Sequence, residues 1–521
     1  MAELQLSSIF ELVERANQQG ILISLRDDEL IIKFSRSKDI DPHFLAELKH
    51  NKERLKEYFS KSSRFKPGSD DMEADSILYE GKPWYELAPV QQWWVDDSQD
   101  ATLKKNQNGL FSFKITGAGF DPAVLQQAVL HIVQRHESLR SVFRKIGDKY
   151  YMGVIAAGED VFKIDYTDLR GRNNLLGQLI SLQIDFDLQK GPLFATRLYQ
   201  TADTEYYFSM LIHHVVYDSW SFDVLRHDLF TAYLFCSEGR TPVLPPMKFQ
   251  YKEYMSLMNR YIKKYEVAHK EYWEKLYPHL PEELIIPGVK QTFSGEHHYE
   301  NLRIAAFLSG EVIDQLHLIA SKYQTGLFIV IQSLFKLYLR EITRQNDIVI
   351  CMQGFGRDIL MDAEDQIGVY ATTSIIRTVF SGDEDLEQTI RKVKKSNEDM
   401  HTYAAYTLLD TFESRVAPEE RKLSSFSKFT LDYMDSNGFY GRNENTTTDT
   451  PQVTDMDIMP LSEHPKKYVI NTDMKCFFMY LNDQMDFRII YDADLYESPV
   501  MEQFIEGLKS HITFIANHLP I

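Results

Sequence analysis

Apolar positions in the first 60 residues change their period twice. Leu6, Ile9, Leu12, Val13 and Ala16 recur every three or four residues, which predicts a helix, and Gly20 closes it. ILISL (21–25) and ELIIKF (29–34) then alternate with period two around Arg26-Asp27-Asp28, the pattern of a hairpin. Asp41-Pro42 supplies a cap and a first-turn proline, and Phe44, Leu45, Leu48, Leu55, Tyr58 and Phe59 return to helical spacing. Residues 1–60 therefore read as an α-β-β-α-α module. A core of this size is marginal alone, and a two-stranded sheet keeps open edges that accept an added strand. Lys33, Arg36, Lys38, Lys49, Lys52, Arg54 and Lys56 make its second half basic. That is either a solvated face or a dock for a short acidic tail, with Ile31, Lys33, Arg36 and Lys38 as candidate docking positions.

Residues 61–83, rich in Ser, Asp and Lys with one Pro-Gly, read as a linker. From residue 84 onward strand-like and helix-like segments alternate. Strands are expected at 110–115, 206–212, 302–308, 347–352 and 485–491, and helices at 122–136, 221–235, 261–277, 310–322, 325–341 and 499–517. This is an α/β pattern, divisible into a lobe at 84–277 and a lobe at 278–521 of about 200 residues each. No sequence repeat proves a duplication.

The net charge of -19 disfavours nucleic acid as a general partner, because phosphate binding needs clustered Lys and Arg. Cys236, Cys351 and Cys476 stand alone, without disulfide or zinc spacing. No secretory leader is evident, and the most apolar helical stretch, 327–339, is too short and too polar to span a bilayer. A reducing cytoplasm is the expected location, with no membrane partner.

The candidate chemistry lies in IHHVVYDSWSF (212–222), where an apolar strand runs into two histidines and, four residues after the second, a carboxylate. Neighbouring side chains of a strand face opposite ways, so His213 and His214 do not line one pocket together. With no third ligand in sight, no metal site is expected. Asp218 precedes a helix start, where free N–H groups favour a carboxylate. On the residues alone, His213 and Asp218 either hold a strand-to-helix turn or support a reactive His214 on a rigid strand end.

Several stretches, taken in order, resemble one family. IHHVVYDSWS is similar to the HHxxxDG motif of the condensation domains of nonribosomal peptide synthetases. ELAPVQQWW (86–94), RHESLRSVF (135–143), GRTPVLPPMKFQYKEYM (239–255) with EYWEKL (271–276), NDIVICMQGFGRD and IGVYATT (346–373), and FRIIYDADLY (487–496) resemble the family's other motifs. The front module resembles the N-terminal docking domains of the tubulysin-synthetase type. The resemblance implies two chloramphenicol-acetyltransferase-like lobes in a V, with the second histidine, His214, midway along a tunnel. It also implies a salt bridge from Asp218 to an arginine of the second lobe, Arg357, with Arg140 as the runner-up. Ser219, Trp220 and Tyr370 are candidate pocket residues. Ser219 stands where the motif has glycine, and Thr372 where the fifth motif usually has Asn.

By this resemblance an amine attacks a thioester carried on a 4'-phosphopantetheine arm, which a partner carrier protein supplies. His214 takes the amine proton or stabilises the tetrahedral species, and His213 and Asp218 complete the motif. The partners implied are an upstream synthetase subunit, through its C-terminal tail and carrier protein, and a small amine. Neither an adenylation nor a carrier segment appears, so terminal condensation is expected, with a free amine releasing the peptide, as in stand-alone subunits of the rhabdopeptide type. An internal condensation domain cut from a longer synthetase, with a carrier-bound aminoacyl acceptor, is the alternative. An epimerisation domain, a non-catalytic recruiting domain and a carrier-independent acyltransferase are the rival classes.

Overall fold

In the computed structural model the described residues are 12, 16, 21–26, 29–34, 42–56, 73–99, 107–172, 184–290, 301–354, 356–357, 363, 365–416, 428–435, 457–460, 473–481 and 484–518. At the front, β1 (Ile21–Arg26) and β2 (Glu29–Phe34) pair antiparallel, with Ile23 opposite Ile32. Ile21 and Ile23 share one face of β1. They are buried with Leu12, Ala16, Leu55 and, from the helix Pro42–His50, Phe44 and Leu48. The positions Leu6, Ile9, Val13, Tyr58 and Phe59 of the sequence pattern lie outside the described residues.

The linker reading of 61–83 needs correction at its end. β3 (Ser76–Tyr79) and β4 (Lys82–Glu86) form a hairpin, and β4 joins β7 (Lys149–Val154), which pairs with β6 (Ser141–Ile146). The turn is Glu80-Gly81, both with positive φ, 51° and 74°. A two-residue turn of that hand matches strand twist. The polar composition of 60–82 masked this signal.

The first lobe is built on a five-stranded sheet. Its central strand, β10 (Glu205–His213), lies between β5 (Asn108–Thr116) and β9 (Phe194–Ala202), and β8 (Asp165–Asp168) adds parallel to β9. Its fifth member is a distant strand, β15 (Asp457–Pro460), paired with β5. Residues 278–521 thus lend a strand to the first lobe. The helices Pro122–Arg135 and Ser219–Ser237 share the core of this lobe. Asp121 caps the former by accepting from the Ala123 N–H at 2.8 Å, with Pro122 in the first turn.

The second lobe carries a six-stranded sheet: β11 (Asn301–Leu308), β17 (Gln484–Asp492), β16 (Met474–Leu481), β14 (Phe429–Asp435), β12 (Asp347–Gly354) and β13 (Thr372–Val379), in that spatial order. Helices Gly310–Lys322, Leu327–Thr343, Leu386–Thr402 and Ser498–His518 bury their apolar faces against it. The long helix Tyr251–Leu276 ties the lobes together. Its first half (Tyr251, Tyr254, Met255, Met258) belongs to the first core, and Trp273 near its end packs with Val349, Cys351 and Ile375 of the second sheet. Among the described residues no single helix is long and apolar enough to cross a membrane.

Candidate active site

The site begins where β10 ends. Every residue from Phe208 to His213 is buried, so the strand end is fixed by its own core. The His213 N–H donates to the Leu193 carbonyl at 3.0 Å and the His214 N–H to the Gln107 carbonyl at 2.7 Å. A 3₁₀ turn, His214–Val216, then swings the chain away. His213 caps that turn, its Nδ1 accepting from the Val215 N–H at 3.2 Å. A nitrogen that accepts there is unprotonated, and the ring is buried. His213 therefore serves the turn.

The His214 side chain goes elsewhere and remains half-buried. Its ring lies flat on Trp94, centroids 3.9 Å apart at 12°, and against Tyr217 at 4.7 Å and 29°. Trp94 belongs to the helix Pro89–Asp97, and two turns of that helix secure the histidine loop. Gln91, fully buried, donates from Nε2 to the Val215 carbonyl at 3.1 Å. The Ser98 hydroxyl sits between the Trp94 carbonyl and Gln107, whose backbone holds His214. Burial, then Asp218, push the Tyr217 phenol well above its ordinary pKa, so it stays a neutral wall.

Asp218 is the N-cap of the helix Ser219–Ser237. Its Oδ1 accepts from the Ser221 N–H at 2.9 Å and from the Ser221 hydroxyl at 2.7 Å, and the Asp218 N–H donates to the Ser221 Oγ at 3.3 Å, closing a capping box. The same oxygen is 2.7 Å from Arg357 Nη2, and Oδ2 accepts from the Tyr370 N–H at 3.1 Å. The two side chains are 5% and 0% exposed, so this ion pair is dry. Arg357 also donates to the Ala363 and Gln366 carbonyls at 2.6 and 2.8 Å, and its plane lies 4.0 Å from the Tyr370 ring centroid. Ser221 is the shared hub, with Oγ 2.9 Å from Arg357 Nη2 and accepting from the Gly368 N–H at 3.0 Å.

This cluster seams the lobes. The segment 366–370 returns to the first lobe, where Tyr251 donates to the Val369 carbonyl at 2.6 Å and Ser138 to the Ile367 carbonyl at 2.5 Å. Two glycines permit the approach. A Cβ at Gly356, where φ is +67°, would sit 1.8 Å from the Tyr370 carbonyl oxygen, and one at Gly368 2.2 Å from the Tyr251 ring.

The structure pairs Asp218 with Arg357, just beyond the 3₁₀ turn that carries His213 and His214. Arg140 is not part of that pair, since it donates to the carbonyls of Val133 and Ile155. Ser219 is exposed, opens the helix and carries no left-handed φ, so serine in place of glycine strains nothing. Trp220 is half-buried against the first core. Tyr370 needs correction as a pocket residue. Its ring is fully buried beneath Arg357 and packed on Tyr251 and Tyr254, its hydroxyl donating to Gln366 Oε1 at 3.2 Å, while its N–H donates to Asp218. Ile31 and Lys33 lie on β2, opposite Ser24 and Leu22, while Arg36 and Lys38 lie outside the described residues. Sequence reasoning missed Trp94, Gln91 and Tyr251. Trp94, Gln91 and Tyr251 stand inside quoted motifs, but nothing in a linear pattern points a tryptophan at a histidine 120 residues away. Among the described residues no group of His, Cys, Asp and Glu is arranged to hold a metal.

Comparison with known proteins places this geometry. The family model described as Condensation domain matches residues 82–520. The chain is 24% identical over 457 residues to a linear gramicidin synthase polypeptide of Brevibacillus parabrevis, covering 85% of this chain and 6% of that protein. It is 26% identical over 285 residues to surfactin synthase subunit 1 of Bacillus subtilis (strain 168), covering 53% of this chain and 8% of that protein. The chain thus spans a small fraction of these relatives. Among solved structures, the X-domain from teicoplanin biosynthesis superposes with a TM-score of 0.72 at 16% identity, covering 85% of this chain and 97% of that one. The epimerization domain from the third module of tyrocidine synthetase B gives 0.66 at 17%, covering 86% and 98%. At such identities these likenesses show a shared fold.

Proposed function

Since the chain belongs to the condensation-domain family, we propose that it joins a carrier-bound peptidyl thioester to an amine, with His214 as the group that takes or shares the amine proton. Condensation domains of nonribosomal peptide synthetases are amide-forming acyltransferases. They hold no cofactor of their own; the phosphopantetheine rides on partner carrier domains.

The observation that carries the assignment is the contrast between the two histidines. His213 is buried and spends its Nδ1 on the turn, whereas His214 is half-exposed on an aromatic platform at a rigid strand end. A base so positioned contributes about 10²–10⁴-fold. The remaining acceleration comes from alignment of two bound reactants. Asp218 and Arg357 act at one remove. They fix the start of the helix behind the histidine loop and lock the 366–370 segment of the second lobe to it.

The finer reading is terminal release, in which a free small amine cleaves the peptide from the upstream carrier. Capture of the upstream subunit's C-terminal tail at the edge of the β1–β2 hairpin, near Ile31, Lys33, Arg36 and Lys38, belongs to the same reading. Internal condensation, with a carrier-bound aminoacyl acceptor, is the second reading. Its support is the length of the curated relatives, synthetases of which this chain covers 6–8%. One experiment separates them. The protein is mixed with a peptidyl-loaded upstream carrier and either a panel of free amines or an aminoacyl carrier, and products are read by mass. Amide formed with a free amine supports release, and product found on the second carrier supports internal condensation. No product in either arm, with His214 intact, overturns the amide-forming assignment.

A further inference from the structure

The imidazole of His214 is stacked on an indole, and that geometry has a chemical consequence. The rings are nearly parallel, 12° apart with centroids at 3.9 Å, so the ring nitrogens lie over the electron-rich face of Trp94. A cation over a tryptophan face is stabilised by the ring quadrupole, and more so where water is partly excluded. A neutral imidazole gains no such term. We infer that Trp94 is a positioning residue which raises the proton affinity of His214 and holds its ring in one plane for proton transfer. This rests on the reading of His214 as the base.

Trp94 is itself held for the purpose. Its carbonyl accepts from the Ser98 hydroxyl at 2.7 Å, and Gln91, one turn earlier, bonds the carbonyl of Val215 beside the histidine. Trp93 meets it edge-on, with centroids 4.8 Å apart, on the side toward solvent. Among the described residues, the other titratable groups of the histidine loop and the Trp94 helix are His213, Tyr217, Asp218, Asp96 and Asp97. From the histidine loop, Tyr217 stays neutral, Asp218 turns both oxygens toward Arg357, Ser221 and Tyr370, and His213 spends its Nδ1 on the Val215 N–H. On the helix of Trp94, Asp96 is exposed and accepts from Gln92 at 2.8 Å, and Asp97 lies on the next turn, three residues from Trp94. Asp97, the other carboxylate of that helix, is the control for a charge effect separate from the indole.

The test titrates the His214 ring by NMR in the full chain, assigned by the signal lost in His214→Ala, and follows the acidic limb of the kcat/KM–pH profile of amide formation. Trp94→Leu removes the aromatic face and Trp94→Phe retains a weaker one, while Asp97→Asn removes the nearby carboxylate. The inference expects the His214 pKa to fall by about 0.5–1 unit in the leucine variant. The fall is smaller in the phenylalanine variant and smaller still in Asp97→Asn, and the acidic limb moves with it. A folded leucine variant with an unshifted His214 titration overturns it, whatever its rate, as does a shift found only in Asp97→Asn. If the leucine variant does not fold, the phenylalanine variant decides on the same criterion. Failure of the functional reading looks different: His214→Ala would then keep full activity while the ring titration still responded to Trp94.

Discussion

Removing one partner of the Asp218–Arg357 pair leaves a charge stranded in a dry interface, and the structure sets its cost. The arginine side chain is fully buried and the aspartate is 5% exposed. Breaking such a pair on one side typically costs about 3–5 kcal/mol, mostly because the remaining charge is uncompensated. Here each survivor keeps other contacts. In Asp218→Ala the guanidinium retains the carbonyls of Ala363 and Gln366, the Ser221 hydroxyl and the face of Tyr370. In Arg357→Met the carboxylate retains Ser221 and the Tyr370 N–H. Each single variant should therefore fall near the lower end, about 3 kcal/mol. The double variant strands no charge and should cost no more than either single, a coupling on the order of 3 kcal/mol. Urea unfolding, followed by circular dichroism and by tryptophan fluorescence, reads the cycle; two probes are needed because a two-lobed chain need not unfold in one step. Amide formation should fall with stability in the singles. Costs that add in the double variant, or a single variant that unfolds like the wild type, would refute the pairing argument.

His214→Ala should lose about 10²–10⁴-fold in amide formation with its unfolding midpoint near that of the parent, and full activity would remove the assignment. Gly356→Ala drives a Cβ onto the Tyr370 carbonyl at a positive φ, so it should unfold far earlier than Gly382→Ala, whose Cβ meets nothing within 4 Å; equal midpoints would contradict the close approach. Ser219→Gly should leave stability unchanged or slightly lowered, since glycine costs roughly 0.5–1 kcal/mol inside a helix; a clear gain in midpoint would mean the serine is strained. Burial holds Lys336 well below its ordinary pKa, while its Nζ bonds the Ile376 carbonyl and Thr378. Between that depressed value and the ordinary 10.5 the unfolded chain binds the extra proton. Stability should therefore fall as pH drops from above 10.5 toward neutral, and Lys336→Met should flatten this slope; parallel pH curves for the two proteins would sink the argument.

The elements that the sequence reading names in the two lobes mostly lie near their expected bounds, though the long helix begins at Tyr251 rather than at 261 and several strands and helices go unnamed. The strand ending in the histidine pair, the helix after Asp121-Pro122 and the strand entering Gly354 all arise from periodicity and caps, which act over a few residues. The two-histidine pattern also carried its own asymmetry, since adjacent residues at a strand end cannot share a face. Three features were among those not legible. The β3–β4 hairpin was hidden by polar composition around a Glu-Gly turn. The strand Asp457–Pro460 joins the first lobe from 341 residues beyond Thr116. Tyr370 reads as a channel aromatic, yet its ring packs into the seam against Tyr251, Tyr254 and Arg357, and its N–H is bound to Asp218.

The sequence by itself determined which residues carry charge, which can cap a helix and which alternate into a sheet, because those depend on side-chain chemistry and near neighbours. Only the tertiary structure decided that Ser221 is shared by the directly paired Asp218 and Arg357, that Gly356 and Gly368 are small because another backbone or ring needs their space, and that an indole lies under the His214 ring. Apart from the approach of Gly356 to Tyr370, those contacts close across more than a hundred residues. Burial and packing select such contacts, and no local pattern encodes them.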